Sequence, residues 1–82
     1  MKAWKVRKDV DLNMLAEFGY EFGEHGIIGR SWLKELYYND CIIIYPDRII
    51  AFDFEDVLDA EICERKALED LIAANLVYEE EI

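Results

Sequence analysis

The sequence predicts a small α+β domain: a mostly antiparallel sheet with two helices on one of its faces. Three observations lead to this fold class. Apolar and polar residues alternate through 31–38 and 48–54, as in strands, and "CIIIY" at 41–45 is apolar at every position. Two further segments, 11–19 and 65–74, have helical spacing instead. We therefore expect residues 1–82 to form one domain in the order β-α-β-β-β-α, an N-terminal strand followed by a helix, a three-strand meander and a second helix.

The N-terminal segment predicts a strand followed by a short helix. "KAWKVRK" places Trp4 and Val6 on one side and charged residues on the other, which is typical of a half-buried strand. In "DVDLNMLAEFGY", Asp11 is a suitable N-cap residue. Gly19 is placed to adopt the left-handed conformation that ends a helix.

Glycines interrupt the next segment, "YEFGEHGIIGR". We expect residues 20–22 and 27–28 to form a small hairpin around "GEHG". The segment lacks the Lys and the following helix start of a phosphate-binding loop, so its glycines are interpreted as turn residues. His25, flanked closely by glycines, is interpreted as an exposed turn residue.

The centre of the chain predicts a meander of three strands at 31–38, 41–45 and 48–54. "ND" at 39–40 and "PD" at 46–47 supply the two turns. Because 41–45 has no polar position, we expect it to be a central strand that is covered on both faces.

The last predicted element is a helix, whose apolar and charged sides separate clearly over 65–74. A helix in one register from 57 to 74 would place Glu61 and Glu64 towards the core. We therefore expect a turn or a short separate piece through 55–60, with the final helix starting near 61–64. Asn75 is the expected left-handed residue after it, and 77–82 is interpreted as a polar, partly extended tail.

The charge of the chain excludes some classes of partner. The formal net charge is −10, and residues 53–82 contribute −9 of it, from 11 acidic and 2 basic residues. Direct binding to nucleic acid or to an anionic membrane is therefore disfavoured. Cys41 and Cys63 are interpreted as small core residues in a reducing cytosol. No segment has the ~20 apolar residues of a membrane span, so we expect a cytoplasmic protein.

Motifs of catalysis or metal binding are not recognised. "DFEDVLDAE" at 53–61 resembles a calcium loop in its acid spacing, but Val57 and Leu58 occupy positions that need an oxygen ligand and a glycine. The only serine is Ser31 and the only histidine is His25, and neither has a partner at a recognisable catalytic spacing. We expect no enzymatic activity, no cofactor and no metal site.

The excess of acidic residues has two interpretations. It either keeps the protein soluble, or it imitates a phosphate array and occupies a basic nucleic-acid site on a protein partner. The second hypothesis assigns partner binding to eight carboxylates: Asp53, Glu55, Asp56, Asp59, Glu69, Asp70, Glu79 and Glu80. The alternative is a structural protein that forms a homodimer through a sheet edge or through strand 31–38.

Two stretches together resemble small uncharacterised proteins of bacterial phages and prophages. They are "KVRKDVDLNMLAEFGYEF" and "LEDLIAANLV", with "DRII" on the preceding strand. Asn75 stands where such sequences often have Gly. The resemblance implies no catalytic residue. It implies a setting inside a bacterial host, where small acidic phage proteins often bind host or defence proteins and some act as anti-CRISPR inhibitors.

Overall fold

A six-stranded antiparallel sheet forms the frame of the protein, with strand order β2-β3-β4-β5-β1-β6. The computed structural model describes residues 2–36, 40–54 and 60–81. The strands are β1 (Lys2–Val6), β2 (Glu21–Glu24), β3 (Arg30–Glu35), β4 (Cys41–Ile44), β5 (Ile49–Asp53) and β6 (Val77–Glu81). The helices are two 3-10 helices (Leu12–Phe18 and Gly26–Ile28), α1 (Ala60–Ala67) and α2 (Glu69–Ala73). The α+β class is confirmed, whereas the predicted order is wrong because it lacks β2 and β6.

The meander is confirmed as β3, β4 and β5, which pair in sequence. In β4, Ile42 and Ile44 have no exposed surface and Ile43 is 5% exposed. The prediction that this strand is covered on both faces is therefore confirmed, since alternate residues of a strand point to opposite faces. The turn predicted at 39–40 lies partly outside the described residues.

The segment 77–82 was expected to be a polar, partly extended tail; the extended backbone is observed over 77–81, but the interpretation as a tail is wrong. Val77–Glu81 is strand β6, which pairs with β1 along its whole length. The glutamates of β6 on their own indicate an exposed segment, but Val77 lies opposite Val6 and is buried. Lys2 and Lys5 of β1 lie opposite Glu81 and Tyr78, so the basic strand lies beside the acidic one.

The glycine-rich segment forms a hairpin of different composition from the predicted one. β2 pairs with 30–33 of β3 rather than with 27–28. Ile27 and Ile28 instead lie in the 3-10 turn Gly26–Ile28, which is bounded by the left-handed residues Gly26 (φ 59°) and Gly29 (φ 84°). The side chain of Ile27 is fully exposed at the tip.

Both predicted helix ends are confirmed. The Asp11 carboxylate accepts a hydrogen bond from the Asn13 backbone N–H at 2.9 Å, as an N-cap residue does. Gly19 (φ 92°) ends the helix that Asp11 caps, and Asn75 (φ 59°) ends α2. At each end the next residue, Tyr20 or Leu76, donates its backbone N–H five residues back and packs into the core. The first helix is of the 3-10 rather than the α type.

The final helical segment consists of two helices, α1 and α2, whereas one helix that starts near 61–64 was predicted. α1 begins at Ala60, and residues 55–59, where the break was predicted, lie outside the described residues. The described break is at Leu68, between α1 and α2, and the side chain of Leu68 is fully buried. Leu68 and Leu71, which are three positions apart, both lie in the core cluster. Ala74, predicted on the apolar side, is exposed.

The main core lies between one sheet face and the helices. Trp4, Val6, Ile42, Ile44 and Ile50 point to this face, and Leu15, Leu68 and Leu71 cover it from the helices. We call it the covered face. The prediction that the helices lie on one face of the sheet is confirmed. Among the described residues no helix is long and apolar enough to cross a membrane.

Candidate interaction surface

The described acids of the predicted partner-binding set do not form one surface. Asp53 lies at the end of β5, whereas Glu69 and Asp70 lie in α2, beyond the covered face. Glu79 and Glu80 are adjacent on β6, so their side chains point to opposite faces of the sheet. The remaining three acids of the set, Glu55, Asp56 and Asp59, lie outside the described residues.

Three of these acids are already paired with cations of the same chain. Asp70 accepts from Lys34 Nζ at 3.3 Å, and Glu79 accepts from Arg65 Nη2 at 2.5 Å. Glu80 forms an ion pair with Lys5, and the side-chain hydrogen bond to Glu80 raises the pKa of the Lys5 ammonium. Each pair reduces the negative charge that these positions present to a partner.

The opposite face of the sheet, which we call the open face, is covered by no described helix. The strand registers place residues in a row across it: Glu21 opposite Leu33, Leu33 opposite Ile43, and Ile43 opposite Ala51. At the far side of the sheet, Ala3 lies opposite Glu80. The row is therefore apolar in its middle and acidic at both ends.

The middle of the open face is more apolar than the solvent side of an ordinary antiparallel sheet, which is polar. Leu33 and Ala51 are half-buried, and Ile49 is 40% exposed. Ile43 is 5% exposed and is not part of the main core cluster, so the exposed apolar surface of this face comes from Leu33, Ala51 and Ile49. An apolar surface of this kind, bordered by polar groups, marks interaction sites in other proteins.

Carboxylates lie at one end of this apolar middle. Glu35 and Asp53 lie on either side of Cys41 in the cross-strand register. The pKa of the Cys41 thiol is raised, first by burial and then by the negative charges of Asp53, Glu35 and Asp40. These three carboxylates therefore all lie near the Cys41 thiol. We call Glu21, Glu35 and Asp53 the acidic border.

The acidic border has no cations of its own. Within the described part of the chain, Glu21, Glu35 and Asp53 form no ion pair. Glu21 and Glu35 also line a shallow depression of about 280 Å³, together with Gly19 and Leu33. These three carboxylates are consequently more available to an external cation than Asp70, Glu79 or Glu80.

Sequence reasoning identified only Asp53 of the acidic border and missed Glu21 and Glu35. One signal was present for Glu35, since it is two positions after Leu33 and shares its face in an alternating strand. Glu21 gave no such signal because β2 was not recognised at its observed position. The predicted core positions of the cysteines are also partly wrong: Cys41 is half-buried on the open face, and Cys63 is exposed on α1.

The other singled-out residues lie in structural contacts. Ser31 is fully buried, and its hydroxyl donates to the Gly29 carbonyl oxygen at 3.4 Å. His25 Nε2 lies 3.4 Å from the backbone oxygen of Glu21, inside the β2–β3 hairpin, and the residue is half-buried rather than exposed. In the described ranges, no group of three or more His, Cys, Asp or Glu side chains is arranged to hold a metal ion.

Comparison with protein-family models, curated proteins and solved structures finds no match for this chain. The resemblance to small phage proteins therefore stays a prediction.

Proposed function

We propose that this chain is a non-enzymatic protein-binding protein, which docks through its open face on a basic surface of another protein. One observation carries the proposal: an apolar sheet face that no described helix covers is bordered by carboxylates that form no ion pair within the described residues. The residues that make the contact are Leu33, Ala51 and Ile49 of the apolar middle and the acidic border, while Ile43, 5% exposed, adds little surface.

The two parts of this surface have different physical roles. Burial of the apolar middle provides affinity, at roughly 25 cal/mol for each Å² removed from water. The carboxylates direct the encounter and select the partner, because a partner without opposing cations would leave Glu35 and Asp53 desolvated and unpaired. The net charge of −10 adds a long-range attraction to any basic surface.

A nucleic-acid-binding protein is the class of partner that this chemistry fits best. Such proteins expose lysines and arginines arranged to neutralise phosphates, and carboxylates can occupy those same cations. Binding would then block the nucleic-acid site, which is inhibition without catalysis. The resemblance to phage proteins supports a bacterial host cytoplasm as the setting and a defence nuclease as the target, in the manner of an anti-CRISPR inhibitor.

The alternative, a homodimer through a sheet edge, has less support. The two edge strands are β2 and β6, and both carry glutamates, which would be brought together by edge-to-edge pairing. Strand β3, the described part of the 31–38 segment, pairs with a neighbour on each side and has no free edge. Light scattering at high protein concentration distinguishes the two, since the alternative requires a dimer.

Charge reversal at matched positions tests the proposal. Tagged wild-type protein and the variants E35K/D53K and E17K/E69K are used to capture partners from host lysate, with mass spectrometry as the readout. Both double variants shift the net charge from −10 to −6, because each reversal adds two charges. We expect E35K/D53K to lose the specific partner and E17K/E69K to keep it. Equal loss from both would show that net charge, and not the open face, governs binding.

The salt dependence of the purified complex provides the second test. Affinity is measured between about 50 and 300 mM salt, and we expect it to fall steadily as the carboxylate–cation pairs are screened. The partner should also lose its nucleic-acid binding in the complex. An affinity that is indifferent to salt would contradict a contact led by charge.

A further inference from the structure

The geometry points to the kind of element that docks on the open face: an amphipathic helix whose apolar stripe is flanked by lysines or arginines. This inference rests on the proposed function, since it specifies what part of the partner the same surface binds. It follows from three features of the face, which are its backbone pairing, its small residues and its acidic border.

The backbone of the sheet offers nothing to a partner that lies on its face. Strands β3, β4, β5 and β1 are all interior strands, with their N–H and C=O groups directed to neighbouring strands. A partner segment on this face must therefore satisfy its own backbone hydrogen bonds. A helix does so within itself, whereas an extended segment would have to bind at an edge, on β2 or β6.

Helices already pack against the covered face of this sheet. There, Leu68 and Leu71 of the helices pack on Ile42, Ile44 and other strand residues in one core cluster. The open face is less apolar, since Lys5 lies opposite Ile49 on it. Continuing the β1–β5 register beyond Trp4 opposite Ile50 places the small side chains of Ala3 and Ala51 side by side. Small side chains at these two positions do not obstruct the approach of a helix.

The acidic border determines which helix fits. Glu35 and Asp53 are separated by two strand spacings, about 10 Å. Both carboxylates lie at the same end of the apolar middle, and a helix with its side chains is about 10–12 Å across, so one cation on each flank at that end of the helix can reach them. A neutral or acidic helix would leave these carboxylates buried without partners, which is costly.

A second copy of this chain is a poor occupant of the open face. Each copy carries a net charge of −10, and face-to-face association would bring together two acidic borders that have no ion pairs in the described residues. The required partner is therefore a different protein with basic residues beside its apolar stripe.

A designed peptide tests the inference without the natural partner. The probe is about 18 residues, five helical turns, with Leu at i, i+3, i+4 and i+7 spacing and Lys on both flanks. The control peptide has the same composition with Leu and Lys alternating, which favours a strand. Binding is measured by calorimetry, and the contact is mapped by backbone and methyl chemical shifts of the full-length protein.

We expect the helical peptide to bind, to gain helicity in its circular dichroism, and to shift the signals of Leu33, Ala51 and Ile49. The substitution I49K should weaken binding of the helical peptide by about tenfold or more, as loss of an interface anchor does. Ile49 is 40% exposed, so this variant is expected to fold. The matched control I62K, at an exposed site on α1, should bind within about twofold of wild type.

Several results would overturn the inference. Equal binding of both peptides, shifts confined to β2 or β6, shifts on the helices, or a dimer of the protein on this face would each do so. These results leave the proposed function standing if E35K/D53K still loses the natural partner. If the helical peptide binds the open face but E35K/D53K keeps its natural partner, the proposed function fails and only the helix-binding capacity remains.

Discussion

The two faces of the sheet are built from the same strands, yet the described helices pack against only one of them. On the covered face, Ile42 and Ile44 of β4 are fully buried beneath the helices. On the open face, the same strand contributes Ile43, in a row that has carboxylates at its two ends. Apolar residues on both sides of a strand therefore do not reveal whether the second side is buried by the same chain. The carboxylates at the border distinguish the two cases, because a core would not place them there.

Removing a leucine from the covered face should have the largest effect on stability. The substitution L68A empties a fully buried site at the junction of α1 and α2, and should lower the free energy of unfolding by about 2–5 kcal/mol. The matched truncation on the open face, I49A, should cost less than about 1 kcal/mol. Urea denaturation measures both. Similar losses from the two variants would show that the faces are equally important to folding.

Changing the residue that ends the first helix should have the next largest effect. Gly19 has φ 92°, which a residue with a Cβ adopts at a cost of about 1–2 kcal/mol. A Cβ at this position would approach Lys34 Cε at 3.5 Å, an ordinary contact, so G19A isolates the backbone cost. The covering layer should weaken, and urea denaturation measures the loss of stability. The control is N75G, which should not be destabilised, because Asn75 is also left-handed.

Tyr20 on the covered side allows a test by pH. Burial raises the pKa of its phenol, and the negative charge of Asp70 raises it further. In the unfolded chain the phenol ionises near pH 10, so the native state holds a proton that the unfolded state releases above that pH. The contribution of Tyr20 to stability is therefore complete below pH 10 and decreases as the pH rises further.

The substitution Y20F should abolish this alkaline loss and be nearly neutral at pH 7, within about 1 kcal/mol. The reason is that the Tyr20 hydroxyl is buried without a hydrogen-bond partner among the described residues. Denaturation of both proteins at pH 8 and at about pH 11 measures the difference. If wild type and Y20F lose the same amount of stability between the two pH values, Tyr20 is not the group responsible.

The smallest expected effect concerns the open face and is read from Cys41. Because burial and the charge of Asp53 raise the pKa of its thiol, D53N should lower that pKa and increase the thiolate fraction at neutral pH. On a C63S background, labelling of Cys41 by a thiol reagent should accelerate about two- to fivefold. The neutralisation E69Q, on the helix side, serves as the matched control and should leave the rate unchanged. Equal labelling rates for D53N and E69Q would show that Asp53 does not raise the pKa of the Cys41 thiol.

Local signals in the sequence predicted much of the fold. The cap at Asp11, the helix ends at Gly19 and Asn75, and the central position of β4 depend on neighbouring residues, and all are observed. β6 was missed because its pairing partner lies more than 70 positions away, and its glutamates alone indicate solvent. The break at Leu68 was not predicted, since residues 60–73 contain no glycine or proline that would indicate one.

The candidate site was less predictable, for a related reason. The number of acids in a segment does not indicate which of them the fold will pair with its own cations. Lys34, Lys5 and Arg65 come from three different elements and pair with Asp70, Glu80 and Glu79, all of which had been assigned to partner binding. Glu35 lies far from the acidic C-terminal third in sequence, yet it shares a sheet end with Asp53 through two strand pairings.

The pairing of β1 with β6 has a consequence for how quickly this chain folds. β1 lies between β5 and β6, so its ladder joins residues from Lys2 opposite Glu81 to Val6 opposite Val77. Contacts between such distant residues require the closure of a long loop, whose entropy must be lost before the contacts form. Folding should then begin in the β3–β4–β5 meander, whose connections are short, with β1 and β6 joining the sheet late. Substitutions in β6 would accordingly accelerate unfolding more than they slow folding.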